Sequence, residues 1–284
     1  MIQYYLYRFG QFCVRCLPIS LSYKIAIFMS DVHYYLCSRD RRIVKNNLKL
    51  ILSSEEKLSY FAREVFRNFG KYLIDFFKIE RKLSDQYVSD HITIKNIDRL
   101  TEVLKNQKGA ILLTAHMGNW ELGGCVISKL GYPPIAVALP HKERSVNDLF
   151  NEQRAIEGMT IVPNNVAIRE CIKGLRQNRI VALLADRDFK SNGEVVDFFG
   201  KKTIFPRGPA AFSLKTGAPI IPAFLVREKN DCFTLFFEEP IFPSKNGHSK
   251  TEQSDMIKKY VSVIESKIRA YPTQWFMFQR FWVE

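Results

Sequence analysis

The stretch GAILLTAHMGNWELGG, Gly109 to Gly124, sets a continuous apolar run directly against polar residues. Ala110 to Ala115 is short, apolar and bounded by Gly109, the pattern of a strand buried on both faces of an α/β sheet. Gly118 and Asn119 break the run. Trp120, Glu121 and Leu122 then open a helix that Asn119 is suited to cap. The result is strand, loop and helix, with His116 at the strand's carboxyl end. In open α/β sheets that end is where ligands bind.

The spacing of His116 and Glu121 bears on chemistry. Five positions apart on one helix, the two side chains would diverge, because helical neighbours fall at three and four. A loop histidine and a first-turn glutamate escape that limit if the loop folds the imidazole back over the helix start. Glu121 then accepts from one ring nitrogen and leaves the other to take a proton from an alcohol. That is a general base with its orienting group and no protein nucleophile of its own. The same spacing serves a structural histidine at a strand end equally well, and spacing alone does not choose.

Outward from this stretch the alternation continues. IDRLTEVLKNQKG precedes it as a helix with Gly109 on its C-terminal side, and Pro134 to Leu139 follows as a short buried strand. HKERSVNDLFNEQRAIEG is then an exposed amphipathic helix ending at Gly158 and carrying Arg154, and His141 sits on the loop before it. Val166 to Leu175 reads as a helix and Arg179 to Ala185 as a buried strand, ending in Asp186-Arg187-Asp188-Phe189. Two carboxylates two apart suggest a metal site, but no third ligand is indicated. Asp188 reads as a turn cap.

Pro206 to Pro209 lead into a helix, Ala210 to Thr216, which Gly217 ends before the strand Ile220 to Val226. A helix N-terminus favours anions, Arg207 adjoins this one, and Lys201–Lys202 stand just upstream. Arg207 is a candidate contact to an anionic substrate group, with plain helix capping as the alternative. FTLFFEEPIF and SDMIKKYVSVIESKIRAYP close the chain as a strand and an amphipathic helix. Earlier, a helix is expected from a Ser53–Ser54 cap, its face marked by Leu58, Phe61, Val65, Phe66, Phe69, Tyr72, Leu73, Phe76 and Phe77. Its aromatic face suits core packing or the wall of an acyl-chain groove.

The fold class is therefore α/β, with a mixed, mostly parallel central sheet flanked by helices over residues 51–284. Residues 1–50 form a hydrophobic helical segment expected to associate with a membrane. Its aromatic and aliphatic residues are interrupted by Arg8, Arg15 and Lys24, so no window is clean enough to span a bilayer. An interfacial helix fits better. The basic run Arg39 to Lys45 would stand beside anionic headgroups.

The 284 residues are 46% hydrophobic with a formal net charge of +13, a globular composition that calls for an anionic partner. The aromatics lie in apolar segments rather than between cations, which argues against nucleic acid. Six cysteines, unevenly spaced, form no disulfide framework, and Cys13 and Cys16 read as helix-packing residues, so a reducing compartment is expected.

His116-x4-Glu121 followed by Gly123-Gly124 resembles the lipid A late acyltransferases, the lauroyl/myristoyl transferases of the wider glycerolipid and lysophospholipid acyltransferase superfamily. RRIVKNNLKLIL, LLADRDF, FFGKKTIFPRGPAAFSLKTGAPIIPAF and YPTQWFMFQRFW carry the resemblance in order from Arg41 to Trp282. It implies an acyltransferase in which His116 and Glu121 are catalytic and Arg154, Asp186, Arg207 and Asn119 bind substrate or the oxyanion. It implies no metal and no cofactor, and so makes Asp186 the partner of a site arginine. Acyl carrier protein is the implied partner, its thioester being the co-substrate, and an anionic glycolipid, a lipid A precursor, is the acceptor. The expected place is the cytoplasmic face of the inner membrane. Another lipid acceptor, hydrolysis by the same pair, and a non-enzymatic membrane-binding role stay open.

Overall fold

The computed structural model describes residues 2–52, 54–79, 83–138, 143–155, 158–163, 166–188, 193–244 and 249–282. Four helices come first: α1 (Ile2–Cys16), α2 (Ile19–Leu36), α3 (Ser38–Lys49) and α4 (Leu58–Lys78). The sheet region begins with α5 (Asp85–His91), β1 (Ile92–Lys95), α6 (Asp98–Leu104), β2 (Ala110–Thr114) and α7 (Trp120–Lys129). It continues through β3 (Ile135–Ala138), α8 (Arg144–Ala155), β4 (Thr160–Pro163), α9 (Ala167–Arg176) and β5 (Ile180–Leu184). The last part holds the hairpin β6 (Glu194–Phe198) and β7 (Lys201–Phe205), then α10 (Gly208–Thr216), β8 (Ile220–Arg227), β9 (Phe233–Phe237) and α11 (Lys250–Ala270).

The central sheet has the order β1-β9-β8-β2-β5-β3-β4. From β8 to β4 the pairing is parallel, while β9 runs antiparallel to β8 and carries β1 parallel to itself at the edge. The sheet is thus mixed and mostly parallel, with helices on both faces. β2 lies at its centre, and its alternate side chains divide between two cores. Ile111 and Leu113 join the layer of α4, α9, α10 and α11, with Phe66, Tyr260 and Ile264. Ala110 and Leu112 join the layer of α6 and α7, with Leu100, Leu122 and Val126.

The first helices do not stand apart. Tyr34 of α2 and Val44 and Leu48 of α3 belong to the same core as β2. Arg41 caps the end of α2 by donating to the carbonyls of Tyr34 and Tyr35. The outward surface of α1 and α2 is apolar: Tyr5, Leu6, Phe9, Phe12, Ile25, Phe28, Met29 and Leu36 are exposed. No helix among the described residues is long and apolar enough to cross a membrane.

One expected boundary moves. The helix after Ile51 begins at Leu58, with no side-chain cap. The Ser54 hydroxyl instead accepts from the Glu56 amide, holding residues 55–57 in a turn that precedes the helix. Ser53 lies outside the described residues. On α4, Val65, Phe66, Tyr72, Phe76 and Phe77 are buried, so this aromatic face is core.

Candidate active site

The site forms where β2 and β5 end side by side. Thr114 pairs with Leu184 in the parallel register, so counting two residues beyond each places His116 level with Asp186. The imidazole Nδ1 meets Asp186 Oδ1 at 2.6 Å, and the His116 backbone N–H donates to Oδ2 at 3.0 Å. Trp275 Nε1–H gives that oxygen a further donor at 3.0 Å. Asp186 has no exposed surface. Burial alone would push its carboxyl up, but the neighbouring His116 charge and hydrogen bond outweigh burial, and with Arg187 and Trp275 they pull it down to about 2. An ionised Asp186 selects the tautomer with the proton on Nδ1 and leaves Nε2 with its lone pair.

The loop carrying His116 is held from behind. Gly118 has φ +60°, and a Cβ there would lie 2.0 Å from the Leu225 carbonyl oxygen, so the turn requires glycine. Gly118 and Asn119 donate their N–H groups to Gln274 and Leu225 carbonyls at 2.9 and 2.8 Å. Asn119 caps α7 as expected, its Oδ1 accepting from the Leu122 amide at 3.1 Å. Its Nδ2 donates to Asp75 Oδ2 at 3.0 Å. Asp75, on α4, is buried with Arg227 of β8 and accepts from the Tyr23 hydroxyl of α2. Burial lifts the Asp75 carboxyl, while Arg227, Tyr23 and Asn119 pull the other way.

Glu121 and Asp186 have each other's expected partner. The sequence predicts Glu121 on the imidazole and Asp186 on a site arginine. Among the described residues Glu121 instead pairs with Arg154, whose Nε–H donates at 3.1 and 3.0 Å and whose Nη2–H donates at 2.6 Å. The reason is geometric. Glu121 begins α7, and Leu122 after it packs in the α6–α7 layer, whereas the register of β2 and β5 brings a carboxylate directly to His116. Arg154 lies in the last turn of α8, its side chain 15% exposed against 8% for Glu121, and it reaches across to α7. Burial weakens the Arg154 charge, but Glu121 more than restores it, so the guanidinium stays protonated.

Arg207 is not brought to this cluster. It is half exposed and pairs with Glu194 of β6 at 2.9 Å. Lys202 pairs with Asp197 across the hairpin at 2.9 Å. Asp188 accepts from the Gly193 N–H at 2.8 Å. His141 and Phe189 lie outside the described residues.

Aromatic rings line the approach to His116. Trp120 meets the imidazole edge-on at 5.3 Å between centroids and stacks on Tyr72 at 4.4 Å. The closing Gln274-Trp275-Phe276 segment shows no catalytic pattern in the sequence. Yet Trp275 donates to Asp186, and the Phe276 N–H donates to the His116 carbonyl at 2.8 Å. No local pattern marks them, because their role rests on contact with strands far away in the chain.

The arrangement can deprotonate a hydroxyl that reaches the partly exposed imidazole beside the Trp120 ring. Proteins similar to this chain are named as acyltransferases. A phosphatidylinositol mannoside acyltransferase from Mycolicibacterium smegmatis is 24% identical over 283 residues, covering 98% of this chain and 90% of that protein. One from Mycobacterium tuberculosis is 28% identical over 225 residues, 76% of this chain and 68% of its own. A lipid A biosynthesis palmitoleoyltransferase from Escherichia coli is 23% identical over 288 residues, 98% and 91% respectively. The family model described as bacterial lipid A biosynthesis acyltransferase matches residues 1–284, and the chain is a member of that acyltransferase family.

Proposed function

We propose that this acyltransferase moves a fatty acyl group from a thioester to a hydroxyl of an anionic glycolipid at a membrane surface. The observation that carries the reading is the Asp186–His116 pair, which leaves Nε2 as a base on an imidazole that Trp120 meets edge-on. Nε2 takes the proton of the acceptor hydroxyl as its oxygen attacks the thioester carbonyl. Asp186 holds the ring and balances the imidazolium that forms. The imidazolium returns its proton to the departing thiolate, so no acyl-enzyme is needed. Glu121 and Arg154 act on the site by fixing the start of α7 against α8.

Acyl carrier protein is the proposed donor carrier, and the net charge of +13 suits both an acidic carrier and an anionic acceptor. Nucleic acid is not a proposed partner. The relatives frame the acceptor as one of two glycolipids, a lipid A precursor or a phosphatidylinositol mannoside. The exposed apolar face of α1 and α2, with Arg8, Lys24, Arg39 and Arg42 also exposed, supports docking in the interface of an anionic leaflet, on the cytoplasmic side of the inner membrane.

The test is transfer of labelled acyl groups from acyl carrier protein to each glycolipid, by native protein and His116→Ala. Transfer that is lost in a folded His116→Ala variant supports the reading, and the acceptor that is labelled names the substrate. Release of free fatty acid with no acceptor labelled would make the chain a thioesterase. Transfer that survives His116→Ala would overturn the mechanism.

A further inference from the structure

Three guanidiniums are drawn into the protein around the His116 loop, and two of them are matched by carboxylates. Arg154 has Glu121, and Arg227 has Asp75 and Asp231. Arg187 has neither. Among the described residues it makes one hydrogen bond, Nη2–H to the Phe276 carbonyl at 2.9 Å, and no ion pair. Its Nε–H is sealed from solvent without an acceptor. The adjacent carboxylate, Asp186, is already committed to His116 and Trp275. Burial weakens the Arg187 charge more than the shared Asp186 carboxylate supports it, so this half-buried cation is under-compensated unless something anionic visits it.

Its position tells what visits. Phe276 donates its N–H to the His116 carbonyl and accepts Arg187 through its own carbonyl, so one residue's backbone spans from histidine to guanidinium. The Arg187 side chain senses both the Asp186 carboxylate and the Tyr72 ring that stacks on Trp120. The guanidinium is therefore held one residue's backbone away from His116, next to the carboxylate that holds the imidazole.

Building on the acyl-transfer reading, we propose that Arg187 is a catalytic residue that binds the donor's carbonyl oxygen and stabilises the oxyanion formed there. The acceptor oxygen bonds to the carbonyl carbon as its proton passes to His116 Nε2, and the C=O π pair moves onto the oxygen against Arg187. Collapse restores the carbonyl and breaks the C–S bond, and the thiolate leaves with the proton from the imidazolium. Arg187, which makes no ion pair among the described residues, thus gains an anionic partner while the intermediate exists, which is where a charged donor accelerates the step most.

The test uses the full-length protein with Arg187→Gln and Arg187→Lys. The measurements are kcat and the KM for the acyl-thioester donor, together with the melting temperature. Loss of one oxyanion donor should lower kcat by roughly 10²–10³-fold. KM should stay within about threefold, and Arg187→Lys should recover at least about tenfold of the lost rate. The melting temperature of Arg187→Gln should equal or exceed that of native protein, since burial costs the Arg187 charge more than Asp186 returns. Unchanged kcat, a defect confined to KM, or a rate loss accompanied by a lowered melting temperature would each overturn the proposal. The last would make Arg187 a structural tie to Phe276. If native protein transfers no acyl group to any acceptor, the acyl-transfer reading itself fails, and this assignment falls with it. That outcome is distinct from a native enzyme whose Arg187 variants behave normally.

Discussion

Asp186 and Glu121 are both buried carboxylates near His116, and each could have served the imidazole. Asp186 hangs from the end of the strand beside β2 and collects three donors from His116 and Trp275. Glu121 starts a helix and collects three hydrogen bonds from one arginine. The difference shows that closeness in sequence is a poor guide to which group meets a loop histidine. Parallel strand register sets the level of residues seventy apart, while a helix start turns the nearer carboxylate toward its own packing partners.

The comparison can be broken first at Asp186. Asp186→Asn removes the acceptor that selects the Nδ1–H tautomer, and kcat should fall roughly 10³–10⁴-fold with little change in KM. Steady-state kinetics on folded protein measure it. A loss below about tenfold would hand the orienting role elsewhere.

Glu121 should show the opposite balance, with stability affected more than chemistry. Glu121→Gln leaves Arg154 buried without its counter-charge and should cost about 3–5 kcal/mol in denaturant unfolding. Pairing it with Arg154→Met should recover much of that loss, because both buried charges then go together. A Glu121→Gln variant of native stability that cannot transfer acyl groups would place Glu121 in the chemistry and dissolve the distinction.

Trp275→Phe keeps the ring and deletes one donor to Asp186. The expected cost is about 1–3 kcal/mol of stability, from leaving a buried acceptor underserved. The accompanying fall in kcat should be smaller than that of Asp186→Asn, and paired kinetics and melting curves resolve the two.

The smallest expected effect is in acid. The Asp186 carboxyl sits at about 2 in the folded protein, against an ordinary value of 3.8. A lowered folded value stabilises the native state above the unfolded value and ceases to do so as protons bind. The contribution should be complete above about pH 4 and lost as pH falls toward about 2. Subtracting the acid-unfolding curve of Asp186→Asn from that of native protein should isolate this slope. An identical pH dependence in both would deny Asp186 its ionised state at His116.

Much of this molecule was legible in local pattern. The buried run Ala110 to Ala115, the Asn119 cap, the strand before Asp186 and the Gly217 stop each depend on residues within a turn or two. The amphipathic helix carrying Arg154, expected to run to Gly158 and observed as Arg144–Ala155, and the closing helix were readable for the same reason. The β6–β7 hairpin was not singled out. Its half-buried alternation lies within a stretch dominated by charge and aromatics.

What composition and periodicity determined was an α/β chain with a titratable histidine at a strand's carboxyl end, a basic surface and an apolar beginning. Only the tertiary structure decided that Asp186 meets His116, that Glu121 meets Arg154, and that Trp275 and Phe276 return from the far end of the chain to close the site. The physical reason is that periodicity records which face of an element is buried, whereas partner choice depends on strand order and register. Those are set by how the whole core packs.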